Sequence, residues 1–263
     1  MKNLILTFVL VLITIFAFSQ TKSNIADIDD SKSLSVLYQQ EAAEYRALCY
    51  QAFNIAKLRL NQIKKRDFRK NHLAIVTDLD ETIIDNSYSE ANLIRENKSY
   101  TDAAWKKWTS LSAATAVPGA VDFLKFAHQK GVEIFYISNR DTSANQSTLI
   151  NLKKLDLPDA DGQHLLLYTK QSPKEYRRQL VMKNHKVVML LGDNLNDFTD
   201  VFEKKNTAER FELTNEFAQE WGNKFIVLPN ATYGEWENAI YQYNYKLTPE
   251  EKKAIRLKLL KGY

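Results

Sequence analysis

Two aspartates one residue apart, Asp78 and Asp80, close the apolar run Leu73-Ala-Ile-Val-Thr77, and Thr82 follows two residues on. Later stretches add Ser138-Asn139-Arg140, Lys174, and Gly192-Asp193-Asn194 with Asp197. Carboxylates with a backbone carbonyl and waters suit a hard, octahedral cation, which selects Mg²⁺ over zinc. A lysine and a serine hydroxyl beside such a cation offer donors to phosphoryl oxygens. The set therefore describes phosphoryl transfer. Each member also has a plainer reading: Asp78 or Ser138 as a helix cap, Asp193-Asn194 as a turn, Lys174 as a solvated first-turn lysine. Jointly those plainer readings lose ground. Thr82 reads as a structural residue that bonds the loop backbone.

These groups can meet only if the chain builds a suitable sheet. Strand patterns fall at Leu73–Thr77, Val132–Ile137, Leu165–Tyr168, Lys186–Leu191 and Lys224–Leu228. Helical patterns lie between them at Val121–Lys130, Ser143–Leu155, a segment opened by Ser172 and Pro173, and about Thr207–Trp221. Strand and helix in alternation predict an α/β fold with a parallel sheet covered by helices on both faces. Right-handed crossovers then bring the strand ends to one edge, where ligands bind. The first four strands each carry one of the chemical groups in the stretch just beyond them.

Two further elements flank this core. Tyr38, Ala42, Tyr45, Cys49, Ala52, Ala56 and Ile63 recur at three and four residues, which predicts one long amphipathic helix over 33–66. Its basic end, 64–70, reads as a solvated terminus. Residues 86–116, with Tyr88, Tyr100, Trp105 and Trp108, are too many for a strand-to-helix loop and predict a small helical cap insertion. Val117-Pro-Gly-Ala120 then turns into the next helix.

Composition bounds the rest. With 263 residues, 44% hydrophobic, the chain can bury one sizeable domain. Lys2 precedes an apolar run from Leu4 to Phe18, and Ala17 and Ser19 are small residues two apart, so 1–19 reads as a signal peptide cut before Gln20. That run is short for a membrane span, so no stable membrane anchor is predicted. Residues 21–32 read as a flexible leader and 20–263 as the mature domain. Losing Lys2 and no acid takes the formal charge from +4 to +3, which argues for no nucleic-acid polymer as partner. Cys49 is the sole cysteine, so neither an internal disulfide nor a cysteine-type zinc site can form. His72, His128, His164 and His185 are scattered without metal-ligand spacing and read as surface or satisfied core residues. A homo-oligomer is left open.

Asp78-Leu-Asp-Glu-Thr82, Ser138, Lys174 and Gly192-Asp-Asn-Leu-Asn-Asp197 resemble, in order, the four motifs of the haloacid-dehalogenase (HAD) superfamily. With Ala116-Val-Pro-Gly-Ala120, Tyr136-Ile-Ser-Asn-Arg140 and Leu228-Pro-Asn-Ala-Thr-Tyr-Gly-Glu-Trp236, the chain is similar to class C bacterial acid phosphatases of the lipoprotein e group. The resemblance covers about residues 33–245. It implies a HAD-like Rossmannoid fold and hydrolysis of small phosphomonoesters, with Asp78 as nucleophile and Asp80 as the acid that protonates the leaving oxygen and later activates water. It implies Mg²⁺ held by Asp78, the backbone carbonyl of Asp80, and Asp193, with Asn194 and Asp197 holding metal waters or Lys174. Ser138 and Lys174 would bind the transferring phosphoryl oxygens, and Asn139 and Arg140 join the substrate-binding set.

The same resemblance implies that aromatics sandwich a nucleobase, so nucleoside 5'-monophosphates are expected substrates. Tyr233 matches the late-loop aromatic, and Trp105 or Trp108 could supply the other face; for both tryptophans core packing is the competing reading, and for Trp236 it is the preferred one. The signal lacks the lipid-modified cysteine of the lipoproteins, so a periplasmic or secreted enzyme is expected. The alternative from another class is a non-catalytic periplasmic or surface binding protein on the same fold; a dehalogenase or a phosphomutase is the alternative among enzymes.

Overall fold

The computed structural model describes residues 30–263, apart from 65, 67, 69–71 and 171–172. The expected signal peptide, Ser172 and most of the expected leader lie outside the described residues. Five strands, β1 (Leu73–Thr77), β4 (Glu133–Asp141), β5 (Leu165–Tyr168), β6 (Lys186–Gly192) and β7 (Phe225–Val227), form one parallel sheet in the order β5-β4-β1-β6-β7. β1 is central, with every residue buried.

Because side chains alternate across a strand, each strand feeds two cores. Leu73 and Ile75 of β1, Ile134 and Tyr136 of β4, and Met189 and Leu191 of β6 join one apolar cluster. That cluster includes residues of helices α2 (Ala43–Gln62), α5 (Ala120–Gln129) and α6 (Asn145–Lys154). Ala74, Val76, Phe135, Ile137, Val187 and Leu190 join the other, beside Val181 of α7 (Lys174–Asn184), Phe198 and Phe225. Fully burying such an aliphatic side chain is worth about 1.5–3 kcal/mol, so the pattern that defines the strands also anchors their ends. Helix α8 (Thr207–Glu216) precedes β7, its N-terminus closed by a reciprocal Asn206–Glu209 capping box.

The single long helix expected over 33–66 is two helices, α1 (Asp30–Glu41) and α2. Ala42 adopts extended angles, φ −80° and ψ 125°, which break the ladder. The apolar spacing runs through the break although α2 packs on the main core and α1 on the cap, so periodicity alone could not reveal it. Asp30–Lys32 are helical, not part of a leader. The C-terminal helices α9 (Glu235–Ile240) and α10 (Pro249–Leu259) were not expected, although Thr248-Pro-Glu-Glu251 carries a legible capping box.

The cap segment leaves and returns through a short antiparallel pair, β2 (Ile84–Asp85) with β3 (Thr115–Ala116). Between them lie α3 (Ser87–Arg95) and α4 (Asp102–Ser110). Asn151 of α6 clamps the returning chain, accepting from Ala114 N at 3.0 Å and donating to Ala114 O at 2.9 Å. Helix α1 braces the cap from the other side: Gln39 Nε2 donates to Asp85 Oδ1 at 2.7 Å and Lys32 pairs with Glu90 at 2.5 Å. Gln39 Oε1 also accepts from Thr232 Oγ1 at 3.3 Å, which ties the late loop to the same brace.

Candidate active site

At the carboxyl end of β1 the chain makes a tight turn in which Thr82 N, Ile83 N and Ile84 N all donate to Leu79 O. Glu81 closes it in the left-handed region at φ 56°, a conformation that costs a residue with a Cβ about 1–2 kcal/mol. Two bonds offset the strain: Glu81 Oε1 accepts from Asn86 N at 2.8 Å, and Oε2 accepts from the Tyr233 hydroxyl. Asp78 N donates to Leu191 O at 2.9 Å, so the turn is locked to β6.

The first residue of α7 crosses to this point. Lys174 Nζ donates to Asp78 Oδ1 at 2.6 Å and to Asp197 Oδ1 at 2.5 Å, and all three side chains are buried. Carboxylate oxygens of Asp78, Asp193 and Asp197 all lie within 4.8 Å of one another. Burial would lower the Lys174 ammonium, but the charges of Asp197 and Asp78 outweigh it and raise it. Burial lifts Asp78 well above the ordinary carboxylate value; Lys174 opposes this, while Asp197, Asp193 and Asp80 add to it. Asp193 is pushed up to about 7, by burial first and by Asp197 next. Three crowded carboxylates sharing one ammonium are short of positive charge, and their oxygens are the donors a hard divalent cation takes. The donor set thus fits the implied metal. Thr82 Oγ1 and Asn230 Nδ2 steady Asp193 from either side, at 3.3 and 2.8 Å. Thr82 therefore bonds a side chain of the cluster, and not the loop backbone as expected.

Asp197 reaches Lys174 because Gly192 lets it. Residues Leu195–Asp197 form a 3₁₀ turn capped reciprocally by Asn194 and Asp197, with Asn194 N donating to Asp197 Oδ2 at 3.0 Å. A Cβ at position 192 would overlap the Cβ and carboxylate of Asp197. Gly192→Ala is expected to destabilise the protein by about 1–3 kcal/mol and to depress turnover, because relief of the overlap moves Asp197 off Lys174. Thermal melts and initial rates on one preparation check this; a variant unchanged in both refutes the packing argument.

Asp80 occupies a different setting. It accepts from Arg140 Nη2 at 2.8 Å and Nε at 3.0 Å, from Asn86 Nδ2 at 2.8 Å and from Ser138 Oγ at 3.1 Å. Burial alone would raise its carboxyl, but the Arg140 charge and these hydrogen bonds hold it below the ordinary range. Ser138 and Arg140, expected to bind the phosphoryl group and substrate, are both buried and bonded to Asp80. Arg140 also donates from Nη1 to Thr148 Oγ1 at 3.2 Å and from Nη2 to Asn86 Oδ1 at 3.3 Å. Strand β4 also runs to Asp141, so Ser138-Asn139-Arg140 lie within it and not beyond it. The pairing with β5 shifts between Ser138 and Asp141, and Asn139 projects to solvent there. Arg177 of α7 closes the irregularity, donating to Ser138 O at 2.6 Å, Leu166 O at 2.8 Å and Asn139 Oδ1 at 3.1 Å.

The aromatics divide. The Trp105 ring lies 5.5 Å from the Arg140 guanidinium, over the partner of Asp80. Trp108 packs on the main core and donates through Nε1 to Asn86 Oδ1 at 2.8 Å, so it braces the site from behind. Tyr233 binds Glu81, the neighbour of Asp80. Trp236, expected in the core, is 42% exposed, with Nε1 on Tyr233 O. Sequence reasoning missed Glu81, Asn86, Arg177 and Asn230. Glu81 and Asn230 sit inside quoted motifs and were within reach, whereas Asn86 and Arg177 carry no local signal, since their partners are brought in by the fold.

Comparison with known proteins places the chain in a family. Residues 14–236 match the family described as HAD superfamily, subfamily IIIB (acid phosphatase). The class C acid phosphatase of Bacillus anthracis is similar in structure, with 39% identity and a TM-score of 0.85 over 90% of this chain and 99% of that one. The same enzyme with tungstate bound is similar at 39% identity and a TM-score of 0.83, over 89% and 98% of the two chains. A buried aspartate at the end of the central strand, joined through a lysine to further carboxylates, is thus found in a phosphomonoesterase, and the chain belongs to the acid phosphatases of HAD subfamily IIIB.

Proposed function

We propose that this acid phosphatase is an exported, Mg²⁺-dependent enzyme that transfers the phosphoryl group of its substrate to Asp78, with nucleoside 5'-monophosphates among its substrates. The observation that carries the reading is Lys174 Nζ bonded at once to Asp78 and Asp197, beside Asp193. Asp78, Asp193 and the backbone carbonyl of Asp80 would hold Mg²⁺, which when bound neutralises charge on the carboxylates and the phosphoryl oxygens.

Asp78 attacks phosphorus through a carboxylate oxygen, and Lys174 orients it by holding Oδ1. Asp80 supplies the proton to the leaving oxygen. A phosphoryl group arriving beside Asp80 brings negative charge that favours the protonated carboxyl, offsetting Arg140. Once ionised, Asp80 takes a proton from the water that cleaves the aspartyl phosphate, and Arg140 and Asn86 keep it in place for both steps. Ser138 donates its hydroxyl to Asp80 and accepts from the Arg140 backbone, and from there it offers a donor to the transferring phosphoryl group.

Phosphate release from AMP and from an aryl phosphate should occur with Mg²⁺ and fall to background with chelator, then return when Mg²⁺ is restored. Activity indifferent to chelator would exclude the metal assignment. Stacking is supported by Trp105 over Arg140, the partner of Asp80, and by Tyr233 on Glu81, the residue after Asp80. Tyr233→Ala should therefore raise KM for AMP by about 10-fold or more, the worth of about 1–3 kcal/mol of base stacking, with little effect on a small non-aromatic ester. Equal effects on both substrates would remove the stacking claim. Export rests on the sequence of residues 1–19; among the described residues no helix is long and apolar enough to cross a membrane.

A further inference from the structure

At the amino edge of the sheet, opposite Asp78, three of the chain's four histidines gather. His72 precedes β1, His164 precedes β5 and His185 precedes β6, while Glu133 opens β4. In a parallel sheet these positions share one edge, although in sequence they are 72 to 185. Glu133 Oε2 lies 3.2 Å from His185 Nε2 and 3.6 Å from His164 Nε2. The ring of Phe135 packs 4.9 Å from each of the two imidazoles, and His72 meets His185 edge-on at 6.1 Å.

The second nitrogen of each ring decides what this arrangement can do. His164 Nδ1 faces Asp161 Oδ1 at 2.8 Å, and His185 Nδ1 faces the Val181 carbonyl at 3.3 Å. Both are acceptors without a proton to give, so in a neutral ring the proton belongs on Nδ1. Each Nε2 then carries a lone pair, and both lone pairs are turned toward the same carboxylate oxygen. Three electron-pair donors converging in this way repel unless something positive lies among them. A histidine whose Nδ1–H is held by a carboxylate or a carbonyl is also the form in which metal-binding imidazoles are oriented.

We propose that Glu133, His164 and His185 form an accessory site for a borderline divalent ion of the Zn²⁺ type, separate from the catalytic carboxylates. Two imidazole nitrogens and one carboxylate oxygen are a tetrahedral Zn²⁺ donor set with one position left for water or His72, and imidazole selects such an ion over Mg²⁺. Among the described residues only the Asp78 cluster has three ligand atoms already within 4.8 Å of one another, so the two rings must swing inward on binding. Glu133, 41% exposed, opens the site to solvent, while the side chains of His164 and His185 are mostly buried, at 14% and 16% exposed. The surroundings are negative as well. Partial burial pulls the His164 imidazole down, but Asp161, with Asp159 and Glu133, carries it above its ordinary value. A bound ion would staple the C-terminus of α7 to the starts of β4 and β5.

The competing occupant is the proton, with His164 and His185 as imidazolium ions on Glu133. Calorimetric titration of the full chain with Zn²⁺, with Mg²⁺ saturating the catalytic carboxylates, separates the two. The site predicts one Zn²⁺ equivalent per chain at neutral pH, a Tm that rises with Zn²⁺, and loss of both in His164→Gln and His185→Gln. Co²⁺ in place of Zn²⁺ should give the visible absorption of a four-coordinate centre in the wild type and not in those variants, a readout independent of activity. Absence of the equivalent in the wild type overturns the proposal, and so does an equivalent that survives both substitutions. Histidine proton resonances that titrate with pH and ignore Zn²⁺ would assign the cluster to protons and overturn it equally.

Discussion

Asp78→Asn is expected to lower kcat for phosphomonoesters by about 10³-fold or more while the protein stays folded. The amide is nearly isosteric with the carboxylate, and its oxygen can still accept from Lys174, so the hydrogen bond at 2.6 Å has a replacement. What disappears is the anionic oxygen that attacks phosphorus. The same change removes one negative charge from a buried cluster in which Asp78, Asp193 and Asp197 share a single ammonium. The metal-free variant should therefore melt no lower than the metal-free wild type. Rates and melts measured together decide the matter. Full activity in Asp78→Asn would sink the nucleophile assignment, whereas a dead and unfolded variant would return Asp78 to a structural role.

Lys174→Met should lower kcat by about 10²–10³-fold, since it deletes the group that orients Asp78 and leaves charge on the reacting carboxylate uncompensated. It should also destabilise the metal-free protein by about 3–5 kcal/mol, the cost of breaking a buried pair and stranding its partner charges. Here two carboxylates, Asp78 and Asp197, are stranded at once. A divalent cation supplies positive charge to the same cluster, so Mg²⁺ should raise the Tm of Lys174→Met more than that of the wild type. Lys174→Arg is not a rescue, because a planar fork cannot reproduce a point charge held between two oxygens. Calorimetry with and without Mg²⁺, beside initial rates, checks the split. A variant equally stable in both conditions would mean that Lys174 does not balance the carboxylates.

The path from sequence to site was short wherever the chemistry sits on a strand end. Leu73–Val76 are all apolar, and Thr77 is buried with them, because β1 is central and covered on both faces, so the strand and the aspartate that follows it are legible together. Lys174 was legible for another reason: Pro173 breaks the chain just before it, and α7 begins at the lysine. Reading stopped where a residue's partner arrives from elsewhere. Arg140 reads from its motif as a substrate-binding cation beside a serine, and nothing local shows that the fold brings Asp80, sixty positions earlier, against its guanidinium. Ser138 follows the same rule, and Trp236 the opposite one, an apolar residue of α9 left 42% exposed. The break at Ala42 escaped because both helices obey one apolar period.

The sequence by itself determined the parallel sheet, the order of its strands along the chain and the identity of the four chemical stretches, because strand periodicity and strand-end polarity are local properties. Only the tertiary structure decided how the charges are shared out. It gave Lys174 to Asp78 and Asp197, gave Arg140 to Asp80, and set Tyr233 on Glu81. It also collected His72, His164 and His185 at the far edge, where no spacing in the chain announced them. The physical reason is common to all of these. A buried charge must find its counter-charge or hydrogen-bond partner through space, and the partner's place is set by crossover handedness and strand order, which no local stretch of residues contains.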